Sequence, residues 1–445
     1  MTGLLSALSG APASRALFAH DGAAITAGDI RAAARAAIAR IARGQGPIFL
    51  HTESAALLAA GLMAAANLGR PVAVLPHAQP AYLAEVGAGP GSLLTDQPTD
   101  DGVAPSLALG AGGDAVLDID PAADPEMIFF TSGSTGAPKQ APKRLSQIDA
   151  EARYWMEWFG DRAGLVAGSV SHQHIYGLIF RIAVPVMSGW VSTDRQAFSW
   201  EQFAAELGPR SVAVTSPAHL TRIPPGLDLT GGPPAFVLSS GQALPLAGAL
   251  AADQLFGAPP IEILGSTETG GVATRQRRDD AEPWTPIPGV RLDLDAEGVL
   301  SVGSPFAGAA TQRMGDRAEI LSDGRFRLLA RADRVVKVEG KRVSLARVEA
   351  ALAALPDVAE AAALALGGEG AETLAAVVAL KSEGEADLAR LGAFRFSRAL
   401  RKRLSDQLEP AERPKRWRFV RELPVNTQGK RVLSDLQRLF ETPNV

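Results

Sequence analysis

The stretch "FFTSGSTGAPKQAPK", residues 129–143, decides how the whole chain is interpreted. Two aromatic residues end an apolar run, small hydroxyl and glycine residues fill positions 131–136, and Lys139 follows. A turn of this kind after a strand offers many backbone N–H groups and hydroxyls to one anion, and a lysine adds a mobile positive charge. The stretch therefore predicts a phosphate-binding loop at the end of a buried strand.

Two other interpretations of this stretch fit less well. The common P-loop requires G-x-x-x-x-G-K-[ST], whereas here Gly133 and Gly136 are closer together and Pro138 precedes Lys139. A flexible Gly/Ser linker has the same composition, but linkers seldom lie between an apolar strand and a helix inside a compact domain. The phosphate-binding interpretation is retained for these reasons.

The composition is that of a globular protein of several domains. The chain has 445 residues, of which 47% are hydrophobic and 21% charged, with a net charge of −4. It contains no cysteine, which excludes disulfides, a thiolate nucleophile and a thiolate metal site, and favours a cytoplasmic location. The N-terminus lacks a basic region of the signal-peptide kind, and the apolar segment 54–69 is too short to span a bilayer. Nothing in the overall charge indicates nucleic acid or a membrane as a partner.

Residues 47–77 predict a strand–helix–strand unit. Short apolar runs at 48–50 and 72–75 flank a helix-forming segment, 55–67, which Gly69 and Pro71 terminate. Similar apolar runs that break into small polar residues recur in "MIFF", "SVAVTSP", "AFVLSSG" and "IEILGST". The pattern predicts a parallel-containing α/β sheet whose ligands gather at the C-terminal strand ends. The Gly/Ala/Asp-rich segment 88–125 is predicted to be a surface loop.

The pattern of apolar and polar residues changes after about residue 285. Alternating apolar and polar residues around "DAEG" and "SDG" predict antiparallel hairpins. A helix and two strands follow between 344 and 381, and the end is charged and helical with one extended piece, "RWRFVRELP". We therefore predict a large N-terminal α/β domain, residues 1–332, and a smaller C-terminal α+β domain, residues 333–445.

Seven segments, in this order, resemble the signatures of the adenylate-forming superfamily, which includes acyl- and aryl-CoA synthetases, peptide-synthetase adenylation domains and luciferases. They are "TSGSTGAPK" (131–139), "HQHIYGL" (172–178), "SSGQALP" (239–245), "GSTETGG" (265–271), "MGDRAEI" (314–320), "ARADRVVKVEGKRV" (330–343) and "LPVNTQGK" (423–430). The ordered set is far more specific than any one motif. The sequence departs from the family pattern at Gln140, Leu264, Met314 and Ala330, none of which replaces a charged catalytic group.

The resemblance implies a two-step reaction and a role for each motif. A carboxylate and ATP give acyl-AMP and pyrophosphate, and a thiol then displaces AMP. Thr267 touches the α-phosphate, Glu268 holds Mg²⁺, and His174 and Gly270 contact the acyl group. The nucleotide contacts implied are Thr131, Ser132, Gly133, Ser134, Thr135, Gly136 and Lys139 for the phosphates, Gly241, Gln242, Ala243, Gly265 and Ser266 around the adenine, and Asp316 and Arg331 for the ribose.

The resemblance also implies a mobile C-terminal domain. Lys430 bridges the acyl carboxylate and the α-phosphate during the first step, and the domain then rotates about Asp333 to admit the thiol. Taken alone, Lys430 is a surface lysine and Asp316 a turn aspartate. Taken alone, a histidine beside an apolar run, such as His172 or His174, is more often a core group than a catalyst. H-x-H also suggests a metal site, but no third ligand is evident.

The acceptor thiol is left open by the sequence. Ten basic residues crowd the segment 395–421, which is either a solvated helix face with local ion pairs or a docking surface for an anion. The anion is either coenzyme A, the commoner acceptor in families that the chain resembles, or the phosphopantetheine arm of an acidic acyl carrier protein. Two further alternatives are a nucleotide-binding homologue without turnover and luciferase-like oxidation of the adenylate. The acid itself is not specified, and neither is the oligomeric state.

Overall fold

The computed structural model describes residues 3–41, 44–89, 91–98, 107–109, 116–120, 122–132, 138–308, 311–331, 334–338, 341–367, 373–425 and 431–441. The predicted site residues Gly133, Ser134, Thr135, Gly136, Asp333 and Lys430 lie outside these ranges. Up to residue 144 the elements are α1 (Leu4–Gly10), β1 (Ala16–His20), β2 (Ala23–Thr26), α2 (Ala27–Ile38), β3 (Ile48–His51), α3 (Ala55–Asn67), β4 (Val72–Val74), α4 (Pro80–Val86), β5 (Leu93–Thr95), β6 (Glu126–Ser132) and β7 (Pro138–Arg144).

The next part of the chain completes the large sheets. Its elements are α5 (Leu145–Phe159), β8 (Leu165–Gly168), α6 (Ile175–Leu178), a π-helical turn (Ile179–Ala183), α7 (Val184–Ser188), β9 (Val191–Thr193), α8 (Trp200–Ala205), β10 (Ser211–Thr215), α9 (Pro217–Leu220), β11 (Phe236–Ser240), α10 (Leu246–Phe256), β12 (Ile261–Ser266), β13 (Gly270–Arg275) and β14 (Thr285–Pro286).

Two mixed sheets form the N-terminal part. The order of the nine-stranded sheet is β14-β13-β12-β11-β10-β8-β9-β1-β2, and its strands from β12 to β1 are parallel. The order of the five-stranded sheet is β5-β3-β4-β6-β7, parallel except for β7. The predicted parallel-containing α/β architecture is confirmed, and so is the strand–helix–strand unit of β3, α3 and β4.

Helix α3 lies in the core of this part. Every residue from Ala55 to Ala66 is buried, so no polar face is needed and none is present. Ser54 caps the helix by accepting from the Leu57 N–H (3.1 Å), and its own hydroxyl donates to Asp194 just after β9 (2.8 Å). Asp194 also accepts from the N–H of Ala56 (2.9 Å), which ties α3 to the nine-stranded sheet.

Two strands differ from the expectations for their segments. Strand β7 pairs antiparallel with β6, so Lys139 lies on a hairpin strand and not in a turn that leads directly into a helix. Pro138 and Pro142 argue against a strand by composition, but β7 is the edge strand of its sheet, which is where strand prolines are tolerated. Strand β5 lies within the segment that was expected to be a surface loop, and pairs with β3.

Antiparallel and α+β structure follows residue 286, as predicted. Its elements are β15 (Arg291–Leu294), β16 (Val299–Gly303), β17 (Gln312–Ile320), β18 (Phe326–Arg331), β19 (Val335–Val338), β20 (Lys341–Ser344), α11 (Leu345–Ala353), β21 (Val358–Leu366), β22 (Thr373–Leu380), α12 (Ser382–Leu391), α13 (Ala393–Arg403), β23 (Arg416–Val420) and α14 (Leu433–Arg438). Strands β15 to β18 form an antiparallel sheet, β19 pairs with β20, and β21, β22 and β23 form a third sheet.

Both faces of the β21-β22-β23 sheet are buried. Alternate residues of β22 enter two separate apolar clusters, Ala376 and Val378 in one and Ala375 and Val377 in the other. The boundary between residues 332 and 333 stays a prediction. Among the helices of the described ranges, none combines the length and the apolar character that crossing a bilayer requires.

Candidate active site

The candidate site lies where parallel strands of the nine-stranded sheet end. Strands β8, β10, β11 and β12 are neighbours, so their C-terminal ends meet at one edge. A cavity of about 500 Å³ opens there. Residues from all four strand ends line it, together with helix α6 and the π-helical turn: His174, Ser216, Gly241 and Thr267 are examples. The predicted crevice is therefore present, and it is built from three of the predicted motifs.

The Thr-Glu loop joins β12 to β13 as a tight turn. The Ser266 N–H donates to Thr269 Oγ1 (3.0 Å), and the Thr269 N–H donates back to Ser266 Oγ (3.1 Å). Gly270 has φ +67°, which a residue with a side chain adopts only with strain. The reciprocal bonds hold Thr267 and Glu268 half-buried at the tip. Gly265, Ser266, Thr267 and Gly270 all line the cavity.

Lys143 supports this loop from beneath. Its side chain is 4% exposed, and its Nζ donates to the backbone carbonyls of Glu268 (3.2 Å) and Phe306 (3.0 Å). Burial lowers the pKa of Lys143, and the carboxylates of Glu151 and Glu268 oppose that shift. Because two carbonyls occupy the ammonium, Lys143 positions the loop and is not aimed at a ligand.

Glu151, on helix α5, forms part of the cavity wall. It is 3% exposed, and its Oε1 accepts from the Gly271 N–H at 2.9 Å. Burial raises the pKa of Glu151 to about 7; the Gly271 N–H, the charge of Lys143 and the Trp155 indole act in the opposite direction. Neither Lys143 nor Glu151 was among the predicted site residues. The available signal was a glutamate on the apolar stripe of α5, between Ile148 and Trp155.

The two histidines of the H-x-H motif have different environments. His172 is 2% exposed and contacts the Thr52 carbonyl through Nε2 (2.9 Å) and Arg181 through Nδ1 (3.3 Å). A carbonyl only accepts, so the ring proton lies on Nε2. Burial, and next the charge of Arg181, hold the pKa of His172 well below its usual range. His172 is thus a core residue, whereas His174 is half-buried on the cavity wall.

A chain of hydrogen bonds holds a further polar residue, His219, in the cavity wall. Ser169 Oγ donates to Thr215 Oγ1 (2.8 Å), which in turn contacts His219 Nδ1 (3.0 Å). The His219 ring stacks on Trp200 with centroids 4.0 Å apart. Burial, and next the charge of Arg222, lower the pKa of His219 to about 4, so the ring is neutral at pH 7. Sequence reasoning missed His219, since nothing around it matches a motif.

Most of the remaining predicted nucleotide contacts are not among the residues that line the cavity, and four of them lie outside the described residues. Thr131 and Ser132 end strand β6, and Lys139 is exposed on β7 opposite Thr131. Gln242 and Ala243 are exposed beyond Gly241, which has φ +95°. Asp316 of β17 is half-buried and lies opposite Arg331 of β18. Of these residues, Gly241 alone is among those that line the described cavity.

One lining residue relates the cavity to the predicted C-terminal domain. Val425, five residues before Lys430, lines the cavity although it belongs to the predicted C-terminal domain. Among the described residues, no group of three or more His, Cys, Asp or Glu side chains is arranged to hold a metal ion. The role of Glu268 as a ligand of Mg²⁺ stays a prediction.

Comparison with known proteins gives the same assignment over most of the chain. Residues 45–312 match the AMP-binding enzyme family, and residues 347–430 match the AMP-binding enzyme C-terminal domain. A 4-coumarate–CoA ligase of Rhodobacter capsulatus is 30% identical over 316 residues, which cover 68% of this chain and 74% of that protein. A 4-coumarate–CoA ligase of Cereibacter sphaeroides is 27% identical over 319 residues, covering 68% and 69%.

Solved structures show the same fold over nearly the whole chain. ATP-bound MatB from Rhodopseudomonas palustris superimposes with a TM-score of 0.76 over 99% of both chains at 19% identity. A benzoate CoA ligase from Burkholderia xenovorans LB400 superimposes with a TM-score of 0.72 over 98% of this chain and 100% of that chain at 18% identity. At these identities the structural likeness establishes the fold alone.

Proposed function

The chain belongs to the AMP-binding enzyme family and is an AMP-forming acid–thiol ligase of the adenylate-forming superfamily, and from this premise we propose how its residues divide the reaction. ATP and a carboxylic acid give acyl-AMP and pyrophosphate, and a thiol then displaces AMP. The first step brings a carboxylate onto an anionic phosphate, so the site must supply cations and hydrogen-bond donors where charge develops.

The observation that carries the proposal is the convergence of the strand ends on one cavity. His174, Gly241 and Thr267 come from three separate motifs and line the same space. Thr267 contacts the α-phosphate in this proposal, and His174 and Gly270 bound the acyl group. The apolar walls, which include Tyr176 and Phe180, suit an aryl or acyl chain. The matched relatives named as 4-coumarate–CoA ligases, and the benzoate CoA ligase fold, support an aryl acid.

The nucleotide is held by the strand ends and the hairpins in this proposal. The loop 131–136 and Lys139 grip the β- and γ-phosphates, and Gly241, Gln242, Ala243, Gly265 and Ser266 surround the adenine. Asp316 accepts from the ribose hydroxyls, and Arg331, its register partner, contacts the same sugar. Leu264, partly buried in an apolar cluster, offers the adenine an aliphatic surface and no stacking ring.

Magnesium fits the proposed site as an ion that arrives with ATP. Mg²⁺ is commonly bound by one or two carboxylates together with substrate phosphates and water, and not by an all-protein cage. Glu268 supplies one carboxylate at the tip of a loop that Lys143 holds from beneath. When bound, the ion would neutralise charge on the phosphates. The loop's own contribution is to orient Thr267 and Glu268 toward them.

Lys430 completes the site in the proposed first step. Val425, five residues earlier in the chain, lines the cavity, and this observation supports the proposal. A lysine on a separate domain can bridge the acyl carboxylate and the α-phosphate, then withdraw to admit the thiol. Asp333 is the proposed pivot of that rotation.

Coenzyme A is the proposed acceptor, with an acyl carrier protein as the alternative. Several basic residues of the segment 395–421 are engaged within the C-terminal domain. Arg403 pairs with Asp357, Arg413 donates to the Leu408 carbonyl (2.8 Å) and Arg418 to the Leu439 carbonyl (2.6 Å). These contacts leave a smaller basic face, which suits a nucleotide better than a protein. A strong salt dependence of transfer to a carrier would instead favour the carrier.

Cytoplasmic location stays a prediction from the absence of cysteine.

Lys430→Ala tests the proposed division of labour. Loss of one positioned charge typically reduces the rate about 10²–10³-fold. Acyl-AMP formation, followed by acid-dependent ATP–pyrophosphate exchange, should fall by at least this order, while thioester formation from supplied acyl-AMP is largely retained. Lys381→Ala, at an exposed lysine of the same domain but outside the segment 395–421, is the matched control and should leave both steps unchanged. Equal losses in both half-reactions would contradict the role of Lys430.

A further inference from the structure

Glu151 is one of the residues that line the cavity, and Tyr176 and Phe180 belong to its apolar wall. Gly270 and Gly271 lie against the Glu151 carboxylate so closely that a Cβ at Gly270 would come within 2.5 Å of Oε2. Two aromatic rings of the cavity, Tyr176 and Phe180, lie 5.2 Å apart between centroids, and Phe180 contacts Trp155 of the same helix as Glu151. A charged group is expensive in such surroundings unless it has partners.

Only half of this carboxylate has a partner. Oε1 accepts from the Gly271 N–H, whereas Oε2 is buried without a hydrogen-bond partner among the described residues. Trp155 Nε1, one turn further along α5, favours the charged form of Glu151 but does not reach hydrogen-bond geometry and is itself unpartnered. An oxygen left in this state carries a large desolvation penalty that a ligand can relieve.

The ammonium of Lys143 does not account for the unpaired oxygen of Glu151. Its ammonium is taken by the carbonyls of Glu268 and Phe306, and no ion pair links it to Glu151 in the described part of the chain. A brace for the Thr-Glu loop would need only the bond to Gly271, and a glutamine would make that bond at a lower desolvation penalty. Oε2, which is buried and unpaired in a residue that lines the cavity, is therefore the feature that a purely structural role does not explain.

We propose that Glu151 is a specificity-determining residue, and that the acid activated by this enzyme carries a hydroxyl or amino group that donates to Glu151 Oε2. This inference rests on the proposed function and adds the substrate class. A pocket built to hydrogen-bond a substrate O–H or N–H strongly disfavours the analogue that lacks it, because the buried oxygen then stays unpaired. Acids whose ring or chain is entirely hydrocarbon are the disfavoured class.

Matched pairs of acids test the proposal. Each pair differs by one donor: benzoate with 3- and 4-hydroxybenzoate and 3- and 4-aminobenzoate, cinnamate with 4-hydroxycinnamate, and pentanoate with 5-hydroxypentanoate. For each pair, kcat/KM for pyrophosphate exchange and the calorimetric dissociation constant of the acid are measured. The measurements are made at pH 8, above the raised pKa of Glu151, where a hydrogen bond to a charged group corresponds to a preference of about 10–100-fold for the donor-bearing member in at least one pair.

Three variants assign the preference to Glu151. Glu151→Leu should reduce the ratio to about 1. Glu151→Gln keeps an oxygen for the Gly271 N–H and presents an amide nitrogen in place of Oε2, so it should lose the preference and keep the fold. Glu157→Leu, at an exposed position of the same helix, is the matched control and should retain the wild-type ratio.

The outcomes separate this inference from the proposed function. If no acid supports pyrophosphate exchange, the proposed function fails, and the binding ratios still decide whether Glu151 selects donors. If exchange occurs but every pair gives ratios near 1, or if Glu151→Gln and Glu157→Leu retain the same preference, the inference is overturned while the ligase activity stands.

Discussion

Two buried glutamates, Glu151 and Glu262, lie near the Thr-Glu loop and differ in how completely they are paired. Glu262, on β12, is 4% exposed and accepts from Arg275 Nε (3.2 Å) and Nη2 (2.8 Å) and from Arg277 Nε (2.9 Å). Glu151 is 3% exposed and accepts from a single backbone N–H. Burial alone therefore does not distinguish a structural carboxylate from one available to a ligand; the number of occupied hydrogen-bonding positions does.

The paired glutamate should dominate stability. In Glu262→Gln the neutral side chain leaves Arg275 without its counter-charge and leaves Arg277, 8% exposed, paired with the exposed Asp280 alone. Breaking a buried ion pair by removing one partner typically destabilises by about 3–5 kcal/mol, and this is the loss we expect in the free energy of unfolding by urea at pH 7. Glu151→Gln should not destabilise under the same conditions. Similar losses in the two variants would remove the distinction between the glutamates.

Glu151, which has one unpaired carboxylate oxygen, should instead change how the free energy of unfolding depends on pH. The pKa of Glu151 is raised from 4.5 to about 7, so the native state holds this proton more tightly than the unfolded chain does. The tighter binding of this proton contributes about 3 kcal/mol at most to the free energy of unfolding. This contribution is fully present below pH 4.5 and is lost as the pH rises through 7. Lys143, whose charge opposes the rise in the pKa of Glu151, is present in both the wild type and the variant.

The comparison is made between wild type and Glu151→Gln in unfolding measurements from pH 4.5 to pH 8. The wild type should lose stability relative to the variant across this window, and Glu157→Gln should track the wild type. A parallel pH dependence of wild type and Glu151→Gln would mean that Glu151 is ionised throughout, as a fully paired carboxylate is, and would contradict the asymmetry between the two sites.

Local signals in the sequence predicted much of the fold. The unit β3–α3–β4 follows from a short apolar run on each side of a helix that Gly69 and Pro71 terminate, and the hairpins after residue 285 follow from their turn residues. Strand β7 was not predicted, because its prolines are compatible with a strand only at an edge, and edge position is a property of the assembled sheet. Strand β5 has three residues, too few for a periodic pattern.

The site, too, contains residues that the sequence predicted and residues that it did not. His174, Gly241, Gly265, Ser266, Thr267 and Gly270 were predicted from contiguous motifs, and the fold brings them to one cavity. Lys143 and Glu151 were not predicted, because their roles depend on contacts between segments 120 or more residues apart in sequence. The number of hydrogen bonds a carboxylate lacks can be read only once the fold is known. The superfamily assignment from the ordered motifs is confirmed by the family matches.

The most direct test of the account is the identity of the nucleotide product in the absence of thiol. The enzyme is incubated with ATP, Mg²⁺ and each acid of the matched pairs, and the mixture is resolved by mass spectrometry. The account predicts acid-dependent release of pyrophosphate and an adenylate whose mass is the sum of acid and AMP less one water. It also predicts more adenylate with the donor-bearing acid of a pair. Release of ADP and phosphate, or nucleotide cleavage that is independent of every acid, would contradict it.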